Sequence, residues 1–265
     1  MNGLKNWWGG LRLQVKLQVL VLGMIVTVLG AVLGWVSEQL EHQTMDGVEA
    51  RAVEAADGLI NGMNTLMLVK IGNEDVISDP AARATFLRLM GVSDRLKEMR
   101  VVRGKAIDDE YKPGLPQEQA VHDLDRQVLA DGKPVTRVVY DSKGAGLRLV
   151  TPFFAKKLYR SNPCLDCHAV EDGAVVGAAS VTIDIQEELA ALHGIRVWIW
   201  SGFVALVVLC TALLHFIARS VVRRLGGEPE AAAEMARHVA NGDLTVSLDV
   251  PAGDTTSLMA RLQEM

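Results

Sequence analysis

Residues 17–37 read LQVLVLGMIVTVLGAVLGWVS, a stretch with no formal charge between Lys16 and Glu38. At about 1.5 Å per helical residue it would span about 30 Å, the thickness of the hydrocarbon core of a bilayer. Residues 197–218 read VWIWSGFVALVVLCTALLHFIA and contain no acidic residue, lysine or arginine. The two stretches predict two membrane-spanning helices, with the rest of the chain folded outside the lipid.

The first stretch has an alternative interpretation as a cleaved signal peptide. Its apolar run of 21 residues is longer than the roughly 7–15 of such a peptide, and Leu29-Gly30-Ala31 is a poor cleavage site. An uncleaved membrane span is therefore the favoured interpretation.

The flanks of the two spans predict their orientation. Both flanks are basic, with Lys5, Arg12 and Lys16 before the first span and Arg219, Arg223 and Arg224 after the second. Because basic flanks stay in the cytoplasm, both termini are predicted to be cytoplasmic and the chain to lie in a bacterial inner membrane. The predicted domains are a cytoplasmic N-terminus at 1–16, transmembrane helices at 17–37 and 195–218, a periplasmic domain at 38–194 and a cytoplasmic module at 219–265.

The composition of the chain narrows its class. Of its 265 residues 49 % are hydrophobic, only three are cysteine, and the formal net charge is −5. These values exclude low-complexity, collagen-like and disulfide-scaffold proteins. The acidic balance predicts no nucleic-acid partner, because such a partner requires a basic patch.

Residues 38–71 predict one long helix that follows the first span. Its apolar residues recur with heptad spacing, interrupted at Gly62; they are Met45, Ala52, Leu59 and Leu66 in one row and Val48, Ala55 and Val69 in the other. Such a seam is suited to pairing with a second helix. Packing of this helix against its own domain is the alternative.

The rest of the domain predicts helices followed by strands. Asp79-Pro80 marks the start of a helix that runs to about Met90; residues 104–116 are predicted to be irregular, and residues 117–130 to form a helix that ends at Asp131-Gly132. β-Branched and aromatic runs predict strands at 135–140, 147–154 and 175–185, the first two joined as a hairpin through 141–146. The predicted fold class is α+β: two transmembrane helices flank a domain with a long membrane-proximal helix and a small antiparallel sheet, a sensor module of PAS-like type.

The loop between the last two predicted strands contains Cys164-Leu165-Asp166-Cys167-His168. This C-x-x-C-H spacing is that of covalent haem c attachment. Two thiols three positions apart can reach the two vinyl groups on one porphyrin edge, while the adjacent imidazole serves as an axial ligand of the iron. Cys164, Cys167 and His168 are therefore the predicted haem-binding residues.

Two other interpretations of this motif remain open. A dithiol redox pair normally opens a helix in a βαβ unit, whereas this motif follows Pro163 in a loop. A zinc site needs four ligands, and the sequence has no second C-x-x-C. The third cysteine, Cys210, lies in the second span and is interpreted as a packing residue.

A sixth ligand of the iron is predicted on the long helix. Met63 and Met67 are four residues apart and share a helical face. Met67 is the first choice as a thioether ligand and Met63 the second, with packing in the core as the alternative for both. His122 is a further candidate, and solvation or helix capping is its alternative role.

The cytoplasmic segment resembles a HAMP domain. After Gly226-Gly227-Glu228-Pro229 the sequence predicts a helix at 230–240, a connector opened by Gly242-Asp243-Leu244, and a second helix from Asp254 with an apolar stripe of Leu258, Leu262 and Met265. Thr255-Thr256-Ser257 departs from the family, in which glutamate and glycine are common at this place.

As a whole the chain resembles the amino-terminal half of a methyl-accepting chemotaxis protein with a haem c sensor. The matching strings in the sensor are Asn64-Thr65-Leu66-Met67, Arg100-Val101-Val102-Arg103-Gly104 and Thr151-Pro152-Phe153-Phe154. The resemblance implies a homodimer, a haem that responds to redox state or a small gas, and a coiled-coil output that contacts a kinase. Because the sequence ends at Met265 inside the expected second HAMP helix, it is expected to be a fragment of a longer receptor or a truncated product.

The predicted function is a chemoreceptor-type transducer, and no catalytic residue is predicted. Two alternatives use the same features: a membrane-anchored monohaem electron carrier and the sensor half of a histidine kinase. HAMP domains precede several classes of output, so the fold does not decide between kinase and chemoreceptor. An electron carrier has no use for a signal-converting cytoplasmic module, which favours the transducer.

Overall fold

The structure is a computed structural model that describes residues 13–93, 95–111, 113–160 and 162–225, together with 234, 237, 238, 240, 241 and 257–263. These residues form an α+β protein with two long apolar helices and small antiparallel sheets, as predicted. The chain divides into two compact units, one of Glu38–Ile195 and the other of Met1–Ser37 with Arg196–Met265.

The elements of the described residues follow in a fixed order along the chain. The helices are α1 (Leu13–Leu68), α2 (Pro80–Met90), α3 (Lys105–Tyr111), α4 (Asp123–Asp131), α5 (Gln186–Leu225) and α6 (Leu258–Gln263). The strands are β1 (Lys70–Ile71), β2 (Glu74–Asp75), β3 (Leu96–Arg103), β4 (Val135–Asp141), β5 (Gly144–Ala155) and β6 (Ala174–Asp184). Single 3-10 turns lie at Val76–Ser78, Pro116–Glu118 and Cys164–Asp166.

Helices α1 and α5 each contain a stretch that is long and apolar enough to cross a membrane. The side chains of these stretches are not buried within the protein; Trp198 is 80 % exposed and Phe216 is 73 % exposed. The helix predicted for residues 38–71 is the second part of α1, which runs without a break from Leu13 to Leu68. The predicted end at Ile71 is wrong, because the chain turns at Gly72, whose φ is 65°, and Lys70–Ile71 pair with β2. Val69 of the predicted seam therefore lies outside the helix and is 44 % exposed.

The main sheet has four antiparallel strands in the order β3-β6-β5-β4. The three predicted strands are confirmed as β4, β5 and β6. The predicted hairpin joins β4 to β5, where Lys143 donates its backbone N–H to the Asp141 side chain at 2.7 Å and Gly144 has a φ of 99°. The central strand β6 pairs with both neighbours, for example Ala179 with Val101 and Ser180 with Val150.

Strand β3 lies at an edge of this sheet and is not predicted by the sequence. Its charged residues fall at both even and odd positions, so no alternation of apolar and polar residues marks it as a strand; they are Lys97, Glu98, Arg100 and Arg103. The structure places Arg100 against Asp125, at 3.2 Å, and Glu98 against Arg148, at 2.6 Å. Ion pairs with other elements thus replace the apolar contacts by which a strand is usually recognised.

The two faces of the sheet support two apolar clusters, because successive side chains of a strand point to opposite faces. The cluster that includes α1 and α2 contains, among others, Val48, Leu59, Ile60, Leu87, Val101, Leu149 and Val181. The second cluster, which includes α4, consists of Val102, Leu124, Val128, Val150 and Ala178. The sheet is therefore covered by helices on both sides.

The heptad seam of α1 packs within its own domain. Val48, Ala52 and Leu59 are fully buried in the first cluster, and Met45, Ala55 and Leu66 pack against it. The prediction that this seam pairs with a second helix is therefore wrong for these residues, and the alternative is confirmed. The seam is buried against an apolar face of the sheet, which removes its side chains from water.

Helix α2 begins and ends as predicted. Pro80 is its first residue, and the Asp79 side chain accepts the backbone N–H of Ala81 at 2.9 Å.

The predictions for residues 104–116 and 117–130 need correction. Residues 104–116 are not irregular throughout, because α3 occupies Lys105–Tyr111.

The helix predicted for residues 117–130 begins only at Asp123. The Arg100 guanidinium donates to the carbonyls of Gln117 and Gln119, so the backbone oxygens at the expected helix start are already bound. The helix ends as predicted at Asp131, where Gly132 adopts a φ of 66°.

Most of the predicted HAMP features lie outside the described residues, among them Gly226-Gly227-Glu228-Pro229, Gly242-Asp243-Leu244 and Asp254. The described residues of this segment include α6, Leu258–Gln263, which falls within the predicted second helix.

Candidate functional site

The Cys-Leu-Asp-Cys-His motif lies in the loop between β5 and β6, as predicted. Residues Cys164–Asp166 form a 3-10 turn that follows Pro163. The carbonyl of Cys164 accepts the backbone N–H of Cys167 at 3.3 Å and that of His168 at 3.0 Å. These two bonds bring both thiols and the imidazole onto one compact turn.

Both thiols of the motif are free. Cys164 is half-buried, with its Sγ 3.6 Å from the carbonyl oxygen of Asn162, whereas Cys167 is exposed. The two cysteines are not joined as a disulfide, so both sulfurs are available for bonding to another group.

Glu110 contacts the motif from the last turn of α3. Its Oε2 lies 3.4 Å from Nδ1 of His168, and its Oε1 accepts the backbone N–H of Ala169 at 3.0 Å. The His168 and Glu110 side chains are only 16 % and 24 % exposed. The contact engages Nδ1 of the imidazole and leaves Nε2 for a different partner.

Tyr111 holds the same turn through its ring and its hydroxyl. The hydroxyl donates to the backbone carbonyl of Cys167, and the ring meets the imidazole of His168 edge-on with centroids 5.5 Å apart. Burial raises the pKa of Tyr111, and the negative charge of the neighbouring Glu110 raises this pKa further. The phenol therefore stays protonated and remains a hydrogen-bond donor at neutral pH.

The start of the loop is fastened to α1 through Arg160. Its guanidinium donates to Asp57 and to Asn61, at 2.7 Å each, and the hydrogen bond to Asp57 raises the pKa of Arg160. The backbone of Arg160 has a φ of 48°, a left-handed conformation that costs about 1–2 kcal/mol outside glycine. Backbone hydrogen bonds in both directions between Tyr159 and Asn162 close this turn.

The predicted sixth ligands differ in their surroundings. Met63 is only 6 % exposed and belongs to the core cluster beneath the sheet. Met67 is half-buried and lies on the last turn of α1. His122 immediately precedes α4, and its Nε2 lies 3.4 Å from Oε2 of Glu98 on β3. Met67 thus keeps part of its surface outside the core, whereas Met63 and His122 have other contacts.

The chemistry of these donors fits a haem c. Two free thiols stand on one turn at the required spacing, and the next residue is a histidine with a carboxylate at Nδ1. Metal-bound histidines usually donate their second ring nitrogen to such an acceptor, which fixes the ring and its tautomer. The described residues contain no group of three or more His, Cys, Asp or Glu side chains arranged to hold a metal ion.

Glu110 and Tyr111 contact the motif, and the sequence does not reveal these contacts. The acidic run of Asp108 to Glu110 indicates only a solvated or irregular segment. Glu110 is 58 positions from His168, and no pattern in the sequence links the two residues.

Comparison with known proteins identifies no relative of this chain: no protein-family model matches it, and no curated protein matches it significantly. The candidate site is therefore defined by the chain's own residues.

Proposed function

We propose that this protein is a two-pass membrane signal transducer whose extracytoplasmic domain carries one covalent haem c. Cys164 and Cys167 would attach the haem, and Nε2 of His168 would be the axial ligand. The observation that carries the proposal is the turn in which the Cys164 carbonyl accepts the backbone N–H groups of Cys167 and His168, so that two free thiols and an imidazole in contact with Glu110 lie close along the chain.

The attachment requires only addition chemistry of the two thiols. Each sulfur would bond to the inner carbon of one vinyl group and its hydrogen would go to the outer carbon, so that no oxidant would be consumed. When bound, the iron would supply a redox couple, and a small gas would bind to it by displacing the sixth ligand. The protein contributes the turn that spaces the sulfurs and the contacts that hold His168.

Met67 is our proposed sixth ligand, with Met63 as the second choice. The partial exposure of Met67 supports this order, because the Met63 thioether already packs in the core. Replacement of Met67 by Ala is expected to change the visible spectrum of the purified protein, as the loss of a thioether ligand alters the iron's coordination. An unchanged spectrum would exclude Met67 as the ligand.

The membrane placement is supported by the unburied apolar stretches of α1 and α5. Apolar surface of this extent is stable in contact with lipid and unfavourable in water. The basic flanks favour a cytoplasmic location for both termini. We therefore propose the inner membrane, with residues 38–194 in the periplasm and a HAMP-like module after residue 219.

The route of the signal is proposed to lead from the sheet into α5. Strand β6 ends at Asp184, and α5 begins at Gln186, so a single residue separates the sheet from the helix. That residue, Ile185, is fully buried, and its N–H donates to the carbonyl of Ala145 at 3.4 Å. We call the loop between β5 and β6, which carries the cysteine motif, the haem loop. A shift of this loop, which ends where β6 begins, can thus reach the second span through β6 and Ile185.

Crosslinking of the proposed homodimer tests this relay. Arg224→Cys in a Cys210→Ser background provides one reactive thiol at the end of α5, and a bismaleimide joins two such thiols in membranes poised oxidised or reduced. We expect the crosslinked fraction to differ between the two states. When Cys164→Ala and Cys167→Ala are added to this protein, the crosslinked fraction should be the same in both redox states. The relay is contradicted if the protein that keeps both cysteines shows no larger difference in its crosslinked fraction than this control.

A second candidate is a membrane-anchored electron carrier, favoured by the exposure of Cys167 and Ala169 at the surface of the haem loop. An exposed haem edge permits electron exchange with a partner. Rapid and reversible reduction by a quinol, together with no change in crosslinking, would favour this candidate over the transducer.

A further inference from the structure

We infer that Glu110 is a positioning residue for His168, one that fixes the imidazole with Nε2 free for the iron and sets the reduction potential of the site. This inference rests on the proposed function, since it concerns the axial ligand of the haem. It adds a residue that acts through His168 and lies far from the C-x-x-C-H motif in the sequence.

The Glu110 carboxylate makes two contacts with adjacent residues of the loop. Its Oε1 accepts the backbone N–H of Ala169 at 3.0 Å, which fixes the carboxylate, and its Oε2 lies 3.4 Å from Nδ1 of His168. The second distance is at the long end for an N–H···O bond, and the side chains of His168 and Glu110 are 16 % and 24 % exposed.

Helix α3 is held firmly enough to act as the support of this contact. Just before α3, the N–H of Gly104 donates to the carbonyl of Val176 on β6 at 2.9 Å. Within α3, Asp108 pairs with Nε of Arg103 on β3 at 3.1 Å. These two contacts tie α3, and with it Glu110, to the sheet.

Tyr111 adds a second set of contacts between α3 and the loop. Its hydroxyl bonds the carbonyl of Cys167, so the last two residues of α3 contact three consecutive residues, Cys167, His168 and Ala169. The imidazole is thereby restrained by a hydrogen bond at Nδ1 and by the Tyr111 ring at its edge. Both restraints act on the orientation of the ring, and the Glu110 contact engages Nδ1 and not Nε2.

A carboxylate at Nδ1 changes the imidazole as a ligand. It draws the Nδ1 proton and increases the electron density at Nε2, which strengthens donation to the metal. A stronger donor favours oxidised iron over reduced iron, because the oxidised form carries the extra positive charge. Hydrogen bonding to an axial ligand is one of the means by which a protein adjusts a haem potential.

The test compares three variants of the full chain with the wild type, produced in a bacterium with a haem c maturation system. Glu110→Gln removes the charge and keeps the shape, Glu110→Asp keeps the charge but withdraws it, and Asp109→Asn removes an equal charge from the neighbouring exposed residue. Haem staining of denatured protein reports covalent attachment, and a redox titration reports the midpoint potential. Asp109 is the matched control because exposed charges are largely screened by salt.

We expect Glu110→Gln to favour the reduced form about tenfold, which is about 59 mV upward for one electron. Glu110→Asp should shift the potential in the same direction by less, and Asp109→Asn should shift it least. If all variants carry covalent haem and Glu110→Gln shifts no more than Asp109→Asn, the role of Glu110 is contradicted while the haem proposal stands.

A wild-type chain without covalent haem would instead overturn the proposed function and this inference with it. Thermal unfolding of each variant identifies any that fails to fold. If Glu110→Gln is such a variant, Glu110→Asp decides the matter: an upward shift beyond that of Asp109→Asn supports the inference, and an equal potential overturns it.

Discussion

At the scale of single residues, buried ion pairs shape the segment between β3 and β4. Asp125 is completely buried, and its Oδ2 is shared by Arg100, at 3.2 Å, and by the backbone N–H of His122, at 3.2 Å. Its Oδ1 has no hydrogen-bond partner among the described residues. Among the described residues, Arg100 is thus the positively charged side chain that pairs with this carboxylate, and it also binds the carbonyls of Gln117 and Gln119.

Replacement of Arg100 by Met is expected to lower the free energy of unfolding by about 3–5 kcal/mol, because it leaves the charge of Asp125 buried without its partner. Urea unfolding of the purified chain in detergent, followed by circular dichroism, measures this loss. Arg137→Met is the matched control: Arg137 is exposed on β4, so its replacement should change stability by less than about 0.5 kcal/mol. Equal losses for the two variants would show that the Arg100 pair does not stabilise the fold.

The site divides into residues that the sequence reveals and residues that it does not. Cys164, Cys167 and His168 form a local motif that is recognised from its spacing alone, and backbone hydrogen bonds to the Cys164 carbonyl hold the three residues in one turn. Glu110 and Tyr111 reach the same turn from another helix, more than 50 positions away. Such contacts depend on the register of the sheet that carries both elements, which single-sequence periodicity does not specify.

At the scale of elements, the packing of α1 explains the residue that interrupts its heptad pattern. Gly62 lies where the ring of Phe86 from α2 reaches the surface of α1, and a Cβ at this position would overlap that ring. Phe86 itself packs against the main core cluster. The glycine therefore makes room for a neighbouring helix, and the interruption is a feature of the core.

Gly62→Ala is expected to destabilise the protein by about 1–2 kcal/mol. The clash with Phe86 outweighs the gain of up to about 1 kcal/mol that alanine normally brings to a helix. Gly47→Ala on the same helix is the control, since no atom lies within 4 Å of its added Cβ; it should stabilise the protein by about 0.5–1 kcal/mol. Urea unfolding reports both values.

Addition of Phe86→Leu to Gly62→Ala is expected to recover part of the loss, because the shorter side chain withdraws from the added methyl group. No recovery in this double variant, or a gain in stability for Gly62→Ala alone, would contradict the packing explanation.

The elements differ in how well their sequence predicts them. Strands β4 to β6 carry β-branched and aromatic runs, and α2 carries a local start signal in Asp79-Pro80, so both follow from nearby residues. Strand β3 and the late start of α4 depend on Arg100, whose partners come from a segment 17 to 25 residues further along the chain. Where a charged side chain is buried by a distant partner, local patterns mislead.

At the scale of the whole molecule, the two long apolar helices are the features most directly visible in the sequence. An uncharged run of 21 residues has few stable environments other than a bilayer or a large core, and the structure does not bury these runs. The sequence does not reveal what the heptad seam packs against, because an apolar stripe can pack on either a partner helix or a sheet. In the structure the seam packs against the sheet.

Topology reporters test the proposed orientation of the chain in the membrane. Alkaline phosphatase, which is active only after export, is expected to be active when fused after residue 133 and inactive when fused after residue 225. A green fluorescent protein that matures only in the cytoplasm should give the opposite pattern, because the basic flanks retain both termini inside. Export of the fusion at residue 225 would contradict the two-pass arrangement.

The central claim is that this domain binds haem covalently through Cys164 and Cys167, and the intact mass of the purified chain tests it most directly. For protein made in a host with a haem c maturation system, we expect the wild-type mass to exceed that of the polypeptide by one haem. The variant with Cys164→Ala and Cys167→Ala should have the mass of its polypeptide alone. A wild-type chain at the bare polypeptide mass, produced in a host that attaches haem to a control cytochrome c, would contradict the claim.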